Sequence, residues 1–294
     1  MLLKSRTFFQ FLSFLNIGIL LTLFFYTGPA TAQTESRSLT YSAVAVLDHE
    51  ATIAAHIGIV SALSQALKAQ LRIVVDRDHQ TLVNDFISGE VDIAYLGPLP
   101  YVVILQEYPD LVVLAAINEE SGLAEYRCAL ISAYDGPVSV SDVSGRIALT
   151  SPMSTCGYLS MAHMLASHGI DIEKQDYRFI GSHDQVALGV IGGQYVAGCV
   201  KDMIAQKYQG LLLQVLDTTP SLPGFVLVAN RNSFSSTEIK QMRSALLQAK
   251  PDNYKAWGVG NYGFTSADQL DYALIDVLMT PEFRKLFMGG LHDH

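Results

Sequence analysis

The chain has 294 residues, half of them hydrophobic, with 19 basic and 28 acidic side chains and a formal net charge of −9. Proteins bind nucleic acid chiefly by neutralising phosphates with Lys and Arg, so this acidic balance argues against a nucleic-acid partner. Three cysteines, Cys128, Cys156 and Cys199, are too few for a disulfide framework. At most one pair can form, which leaves one thiol free.

The first 32 residues have the pattern of a secretory signal peptide. Lys4 and Arg6 precede an apolar run over 8–26, and a small-residue motif ends at Ala32. A membrane anchor is the alternative because the run approaches spanning length, but no second run of that length follows in the sequence. We therefore predict export to the periplasm with cleavage after Ala32. Loss of the two basic residues changes the net charge from −9 to −11.

The rest of the chain alternates short β-favouring runs with stretches that carry apolar residues at helical spacing. The predicted strands are 41–47, 71–75, 91–96, 126–132, 146–150, 177–180, 196–200 and 225–229. The predicted helices are 53–67, 81–87, 157–168, 186–191, 237–249, 270–278 and 282–288. Such alternation indicates an α/β fold with mostly parallel sheets. The two halves look alike, which suggests two lobes with a cleft between them.

Three predicted strand-to-helix junctions carry hydrogen-bond donors. Ser154 and Thr155 stand where N-cap hydroxyls belong, His183 follows a strand, and Tyr95 ends another. Each has an ordinary explanation in capping, solvation or packing. Ligands in open α/β sheets bind at the carboxyl ends of strands, where hydroxyls and free helix N–H groups can hold an oxyanion. There is no Gly-Lys-Ser or Gly-Lys-Thr phosphate loop, and we predict neither a cofactor nor a metal.

Segments 91–98, 154–159 and 181–184, in this order, resemble the phosphate, phosphite and phosphonate substrate-binding proteins of ABC importers. The resemblance covers about residues 39 to 275. It implies the type 2 periplasmic binding fold, with mixed sheets flanked by helices and a two-strand hinge. The implied first lobe comprises 39–130 and 228–294, and the second comprises 131–227.

The resemblance also implies a set of ligand-binding residues. Tyr95 would contact the oxyanion from the first lobe, and Ser154, Thr155 and His183 would do so from the second. Tyr158 belongs to the same motif as Thr155. Asp202 lies near the place where phosphonate binders carry a carboxylate for a substituent amine. The charge of His183 is expected to respond near neutral pH.

The implied function is capture of a small oxyanion, without catalysis, by a monomer that delivers it to an ABC permease in the inner membrane. Cys156 stands where the family usually has a small residue, so we expect a thiol facing the cleft. A thiolate at a helix N-terminus binds soft metalloids, so an alternative is a periplasmic ligand sensor, for example of arsenite through Cys156, that reports to a membrane signalling partner such as a sensor kinase. A third possibility is an oxyanion ester hydrolase that depends on His183.

Overall fold

The computed structural model describes residues 37–44, 49–279 and 283–284. The predicted signal peptide over 1–32 lies outside the described residues, and so does most of the helix predicted at 282–288. Among the residues that are described, every helix is too short or too polar to cross a membrane.

The first sheet has six strands in the order β13-β4-β12-β3-β1-β2. Strands β1, β2 and β3 run parallel, whereas β12 pairs antiparallel with both β3 and β4. The β13 strand adds an antiparallel edge beside β4. The bounds are β1 Ser38–Val44, β2 Gln70–Asp76, β3 Ile93–Leu96, β4 Leu111–Ile117, β12 Val226–Asn230 and β13 Phe264–Thr265.

The second sheet has five strands in the order β10-β6-β9-β7-β8. Strands β7, β8 and β9 run parallel, and β6 pairs antiparallel with β9 and β10. The core order β6-β9-β7-β8 therefore repeats the order β12-β3-β1-β2 of the first sheet, directions included. The bounds are β6 Cys128–Ala133, β7 Ile147–Leu149, β8 Tyr177–Phe179, β9 Ala197–Lys201 and β10 Leu213–Thr218.

Two crossing segments join the sheets and pair with each other. The chain passes from the first sheet to the second through β5, Glu125–Tyr126, and returns through β11, Leu222–Pro223. These two short strands form a separate antiparallel ladder. The predicted mixed α/β class with a two-strand connection is confirmed. The predicted lobe boundaries at 130 and 228 fall inside β6 and β12, and the division at these residues stays a prediction.

Helices cover the faces of the sheets, and several begin at side-chain caps that satisfy free backbone N–H groups. Asp78 caps α2, and Ser182 and Ser235 form capping boxes at α5 and α7. The helices are α1 His49–Leu67, α2 His79–Ser88, α3 Pro98–Glu107, α4 Ser160–Ala166, α5 His183–Ile191, α6 Asp202–Tyr208, α7 Ser236–Leu247, α8 Pro251–Tyr254 and α9 Ala273–Leu278. A π-helical turn over Thr155–Leu159 leads into α4.

The core has three apolar clusters. One cluster lies on the α1 and α7 side of the first sheet, and another lies under α5 in the second. The third and largest joins α2 and α3 of the first half to β6, β7 and α4 of the second. A disulfide between Cys128 and Cys156 lies within this shared cluster, while Cys199 is a buried free thiol.

Candidate ligand-binding site

A cavity of about 480 Å³ lies at the carboxyl ends of six parallel strands, three from each sheet. Residues that end or follow β1, β2 and β3 line it from one side, and residues that follow β7, β8 and β9 line it from the other. This is where open α/β sheets bind ligands. The volume falls in the range of about 300–1,000 Å³ that is typical of small-molecule sites.

The segment after β7 contributes hydroxyl groups. Ser154 caps the π-helical turn by accepting the Gly157 N–H, and the Thr155 Oγ1 accepts the Leu99 N–H at 3.1 Å from the start of α3. The second bond links the two halves at the cavity. A Cβ at position 157 would lie 2.4 Å from the Thr150 Oγ1, so only glycine fits here. The Thr150 hydroxyl is buried and has no hydrogen-bond partner among the described residues.

The segment after β8 contributes a neutral histidine. Gly181 turns the chain at a positive φ of 102°, and Ser182 then caps α5. The His183 Nδ1 accepts the Lys201 backbone N–H at 3.3 Å. Burial, together with the nearby Lys201 and His79 and against the opposing effect of Asp184, lowers the pKa of His183 to about 4. Because Nδ1 accepts, the proton of the neutral ring is assigned to Nε2, which is then a donor.

The segment after β9 contributes Lys201. Its Nζ lies 2.7 Å from the Glu119 Oε1 and over the rings of Tyr126 and Phe225, 5.0 and 5.4 Å from their centroids. Lys201, Tyr126 and Phe225 all line the cavity. At this end of the cavity, the ammonium group of Lys201 therefore packs against two aromatic rings.

The first sheet contributes mainly rings. Tyr95 stacks on Phe225 at 5.1 Å and meets the edge of His56 at 4.9 Å. The His56 Nδ1 lies 2.7 Å from the Tyr41 hydroxyl, and the His79 Nδ1 lies 3.3 Å from the Ser151 hydroxyl of the second half. Burial lowers the pKa of both histidines to about 4 and raises that of Tyr95. All of these rings are therefore uncharged at neutral pH.

The charged residues that line the cavity are balanced in number, with Arg77 and Lys201 against Asp78 and Asp184. Two carboxylates, Asp78 and Asp184, are among the lining residues, but Asp78 accepts a helix N–H and Asp184 pairs with Lys207. Arg77 also lines the cavity, and within the described part of the chain it makes no ion pair. The described residues contain no cluster of three or more His, Cys, Asp or Glu side chains that could hold a metal ion.

The structure brings together five of the seven ligand-binding residues predicted from the sequence. Tyr95, Ser154, Thr155, Cys156 and His183 all line the cavity. The expectation that the charge of His183 responds near neutral pH is wrong, because burial lowers its pKa to about 4.

The prediction of a cleft thiol at Cys156 is also wrong. Cys156 lines the cavity, but its Sγ is bonded to that of Cys128, and the residue is only 2% exposed. A disulfide sulfur has no thiolate to offer a metalloid. The remaining thiol, Cys199, lies in the core, and burial raises its pKa.

Two other predicted residues lie away from the cavity lining. Tyr158 is buried beside Tyr177 and Phe283, with its hydroxyl donating to Glu173. Asp202 accepts the Met203 N–H and lines a separate surface recess with Arg127. The chain turns into α6 at this point, so Met203 and Ile204 face the cavity instead.

Sequence reasoning missed several lining residues, notably Arg77, His79 and Lys201. Each stands at or just beyond the end of a predicted strand, so the rule that identified Ser154 and His183 would have selected them too. His56 follows β1 on α1 and has no comparable signal, because its place in the cavity depends on how α1 packs.

Two sheets of matching strand order, joined by two crossing segments around a shared cavity, define the type 2 periplasmic binding fold. The chain belongs to the family of periplasmic substrate-binding proteins of phosphonate ABC transporters, whose sequence model matches residues 41–272. Members of this family bind a small molecule in the periplasm and hand it to a membrane permease.

Individual relatives agree with this assignment. The phosphate-import protein PhnD of Mycolicibacterium smegmatis is 26% identical over 189 residues, which is 60% of this chain and 59% of that protein. The chain thus spans less than two thirds of that relative's length.

Two solved structures share the fold. PhnD1 from Prochlorococcus marinus (MIT 9301), in complex with methylphosphonate, has a TM-score of 0.69 at 19% identity and covers 85% of this chain and 98% of its own. A binding protein component of an ABC phosphonate transporter from Pseudomonas aeruginosa has a TM-score of 0.69 at 18% identity, covering 88% and 90%.

Proposed function

We propose that this chain captures a phosphonate, phosphite or phosphate-like oxyanion in the cavity between its two sheets and delivers it to an ABC importer. The observation that carries the proposal is the convergence of six strand ends on a cavity lined by hydroxyls, neutral histidines and cations. The names of the Mycolicibacterium and Prochlorococcus relatives, a phosphate importer and a methylphosphonate complex, agree with this ligand class.

The proposed contacts replace the water around the oxyanion with donors from both sides. Ser154 and Thr155 offer hydroxyl protons while their oxygens accept backbone N–H groups, and the His183 Nε2–H offers a third donor. The Tyr95 phenol, held protonated by burial, donates from the first sheet. Fixed donors in a site shielded from water bind an anion without any net positive charge on the protein.

Ligand release would follow from separation of the two sheets. Hydrogen bonds from the Leu99 N–H to Thr155 and between Ser151 and His79 join the two halves beside the cavity, and so does the ion pair of Lys201 with Glu119. Opening would break these contacts and hydrate the oxyanion, whereas a bound oxyanion holds the closed form by contacting both sides.

The same proposal includes export and a role without chemistry. Residues 1–32 would direct the chain to the periplasm and be removed after Ala32, leaving a monomer that meets its permease at the inner membrane. The Ser154 hydroxyl caps a helix turn, and among the described residues no histidine is hydrogen-bonded to it. An arsenite sensor that uses Cys156 is not carried further, because that sulfur is in a disulfide.

Isothermal titration calorimetry with methylphosphonate, phosphite and phosphate tests the proposal. We expect at least one of these oxyanions to bind, and His183→Ala to weaken its binding at least about tenfold, the equivalent of one lost charge-assisted hydrogen bond. His163→Ala, at an exposed position on α4, is the matched control and should bind like the native protein. If the native protein binds no oxyanion, the proposed function is wrong.

A further inference from the structure

Lys201 occupies an unusual place in the cavity wall. Its side chain is 15% exposed and is paired with Glu119, whose side chain is 21% exposed. The Nζ also lies against the rings of Tyr126 and Phe225, and Phe225 in turn stacks on Tyr95. A carboxylate and two aromatic faces thus surround one ammonium group.

Aromatic faces beside a carboxylate are the surroundings in which proteins bind the ammonium groups of ligands. Here the ammonium group belongs to the protein itself. A cationic substituent that approached the same rings would meet the charge of Lys201 at short range, and the carboxylate of Glu119 is already paired with that ammonium group. Like charges this close, out of bulk water, repel strongly.

The carboxylates elsewhere in the described lining have partners of their own. Asp78 accepts a helix N–H and Asp184 pairs with Lys207, while Asp202 lines a separate recess rather than the cavity. Arg77 adds a further positive charge. Apolar side chains complete the lining, including Val44, Met203 and Ile204.

We propose that Lys201 fills an ammonium subsite from within, so that the cavity accepts oxyanions with an uncharged substituent and rejects those with an amine. This inference deepens the proposed function and depends on it. The cavity of about 480 Å³ has room for a substituent beside the oxyanion. Alkylphosphonates are therefore the ligand class that fits, and aminoalkylphosphonates are excluded by charge.

The first experiment uses the native protein and two ligands of equal size. Propylphosphonate and 2-aminoethylphosphonate differ in a terminal methyl group against an ammonium group. We expect calorimetry to show at least about tenfold tighter binding of propylphosphonate. Equal affinities, or tighter binding of the amine, would overturn the inference while leaving oxyanion capture intact. Failure of methylphosphonate, phosphite and phosphate to bind would instead overturn the proposed function.

The second experiment empties the subsite. Lys201→Ala removes the ammonium group of the protein and frees Glu119. The affinity for 2-aminoethylphosphonate should therefore rise at least about tenfold relative to the affinity for propylphosphonate. Adding Glu119→Gln to this variant should abolish the gain, because the freed carboxylate is what attracts the amine.

Lys174→Ala is the matched control. Lys174 also has a carboxylate partner, Asp171, but neither residue belongs to the cavity lining. Its removal should leave the ligand preference unchanged. A preference that shifts equally in Lys201→Ala and Lys174→Ala would show a general charge effect and contradict the assigned subsite.

Discussion

The two sheets share a strand order, but different types of residue cap the helices that follow their parallel strands. In the second sheet, Ser154 and Ser182 cap the helical turns after β7 and β8 with neutral hydroxyls. In the first sheet, the carboxylate of Asp78 caps α2, and Gly97 starts α3 without any side-chain cap. The first sheet instead contributes the rings of Tyr95, His56 and His79.

This difference suggests different roles for the two sheets at the cavity. A carboxylate cap already supplies the negative charge that a helix N-terminus favours, whereas a hydroxyl cap leaves room for an anion. In the proposed function the second sheet holds the oxyanion, while the rings of the first sheet cover it and shield it from water. The second sheet is also the one that is fastened by a disulfide, which links the Thr155 turn to β6.

The largest expected effect is the loss of stability on removal of the disulfide. Replacing Cys128 and Cys156 together by Ser should lower the free energy of unfolding by about 3–4 kcal/mol, since the bridge closes a loop with a sequence separation of 28. Urea unfolding measures this. Cys199→Ser, which removes a buried thiol outside the disulfide, is the control and should cost clearly less. Equal losses in the two variants would contradict a stabilising disulfide.

The next effect concerns pH and His183. Its pKa is lowered by burial and by Lys201 and His79, with Asp184 opposing. The unfolded state therefore takes up the proton near pH 6.5 while the folded state does so near 4, and stability is lost as pH falls through this window. Between pH 7 and pH 5, proton uptake at His183 should lower the free energy of unfolding by about 2 kcal/mol.

Urea unfolding of the native protein and of His183→Gln at both pH values checks this expectation. The variant should lose less stability on acidification, because it has no proton to take up at this position. Parallel losses in the two proteins would mean that the imidazole is not held neutral by the fold.

Thr155→Val tests the hydroxyls of the second sheet with little change of shape. The Thr155 Oγ1 accepts the Leu99 N–H, and in the proposed function its hydroxyl donates to the oxyanion. We expect oxyanion affinity to fall about tenfold, corresponding to about 1.4 kcal/mol. Ser160→Ala removes a buried hydroxyl that has no partner among the described residues and lies outside the cavity lining. Calorimetry should find its affinity unchanged, and equal losses in both variants would contradict a direct role of Thr155.

The smallest expected effect is at Asp202. Because its carboxylate faces a surface recess rather than the cavity, Asp202→Asn should change the affinity for any oxyanion, with or without an amine, by less than about twofold. The measurement is a calorimetric comparison with the native protein. A selective loss of 2-aminoethylphosphonate binding would restore the role that the sequence assigned to this residue.

Local patterns determined most of the strands and helices. Apolar periodicity and capping residues act over a few neighbouring positions, so α1, α7 and the strands near 71–75 and 225–229 were predictable. The sequence pattern predicts neither a helix nor a strand over 98–117. Its helix α3 is buried on nearly every face, and β4 is apolar throughout, so neither shows the periodicity of a half-exposed element.

The sequence by itself determined the strand-loop-helix order and the donors that follow β7 and β8, because these depend on residues adjacent in the chain. Only the tertiary structure decided that Cys156 pairs with Cys128, that His79 reaches Ser151, and that Lys201 meets Glu119. Partners in these pairs are separated by 28 residues or more. Their contact depends on how two sheets pack, which no local pattern encodes.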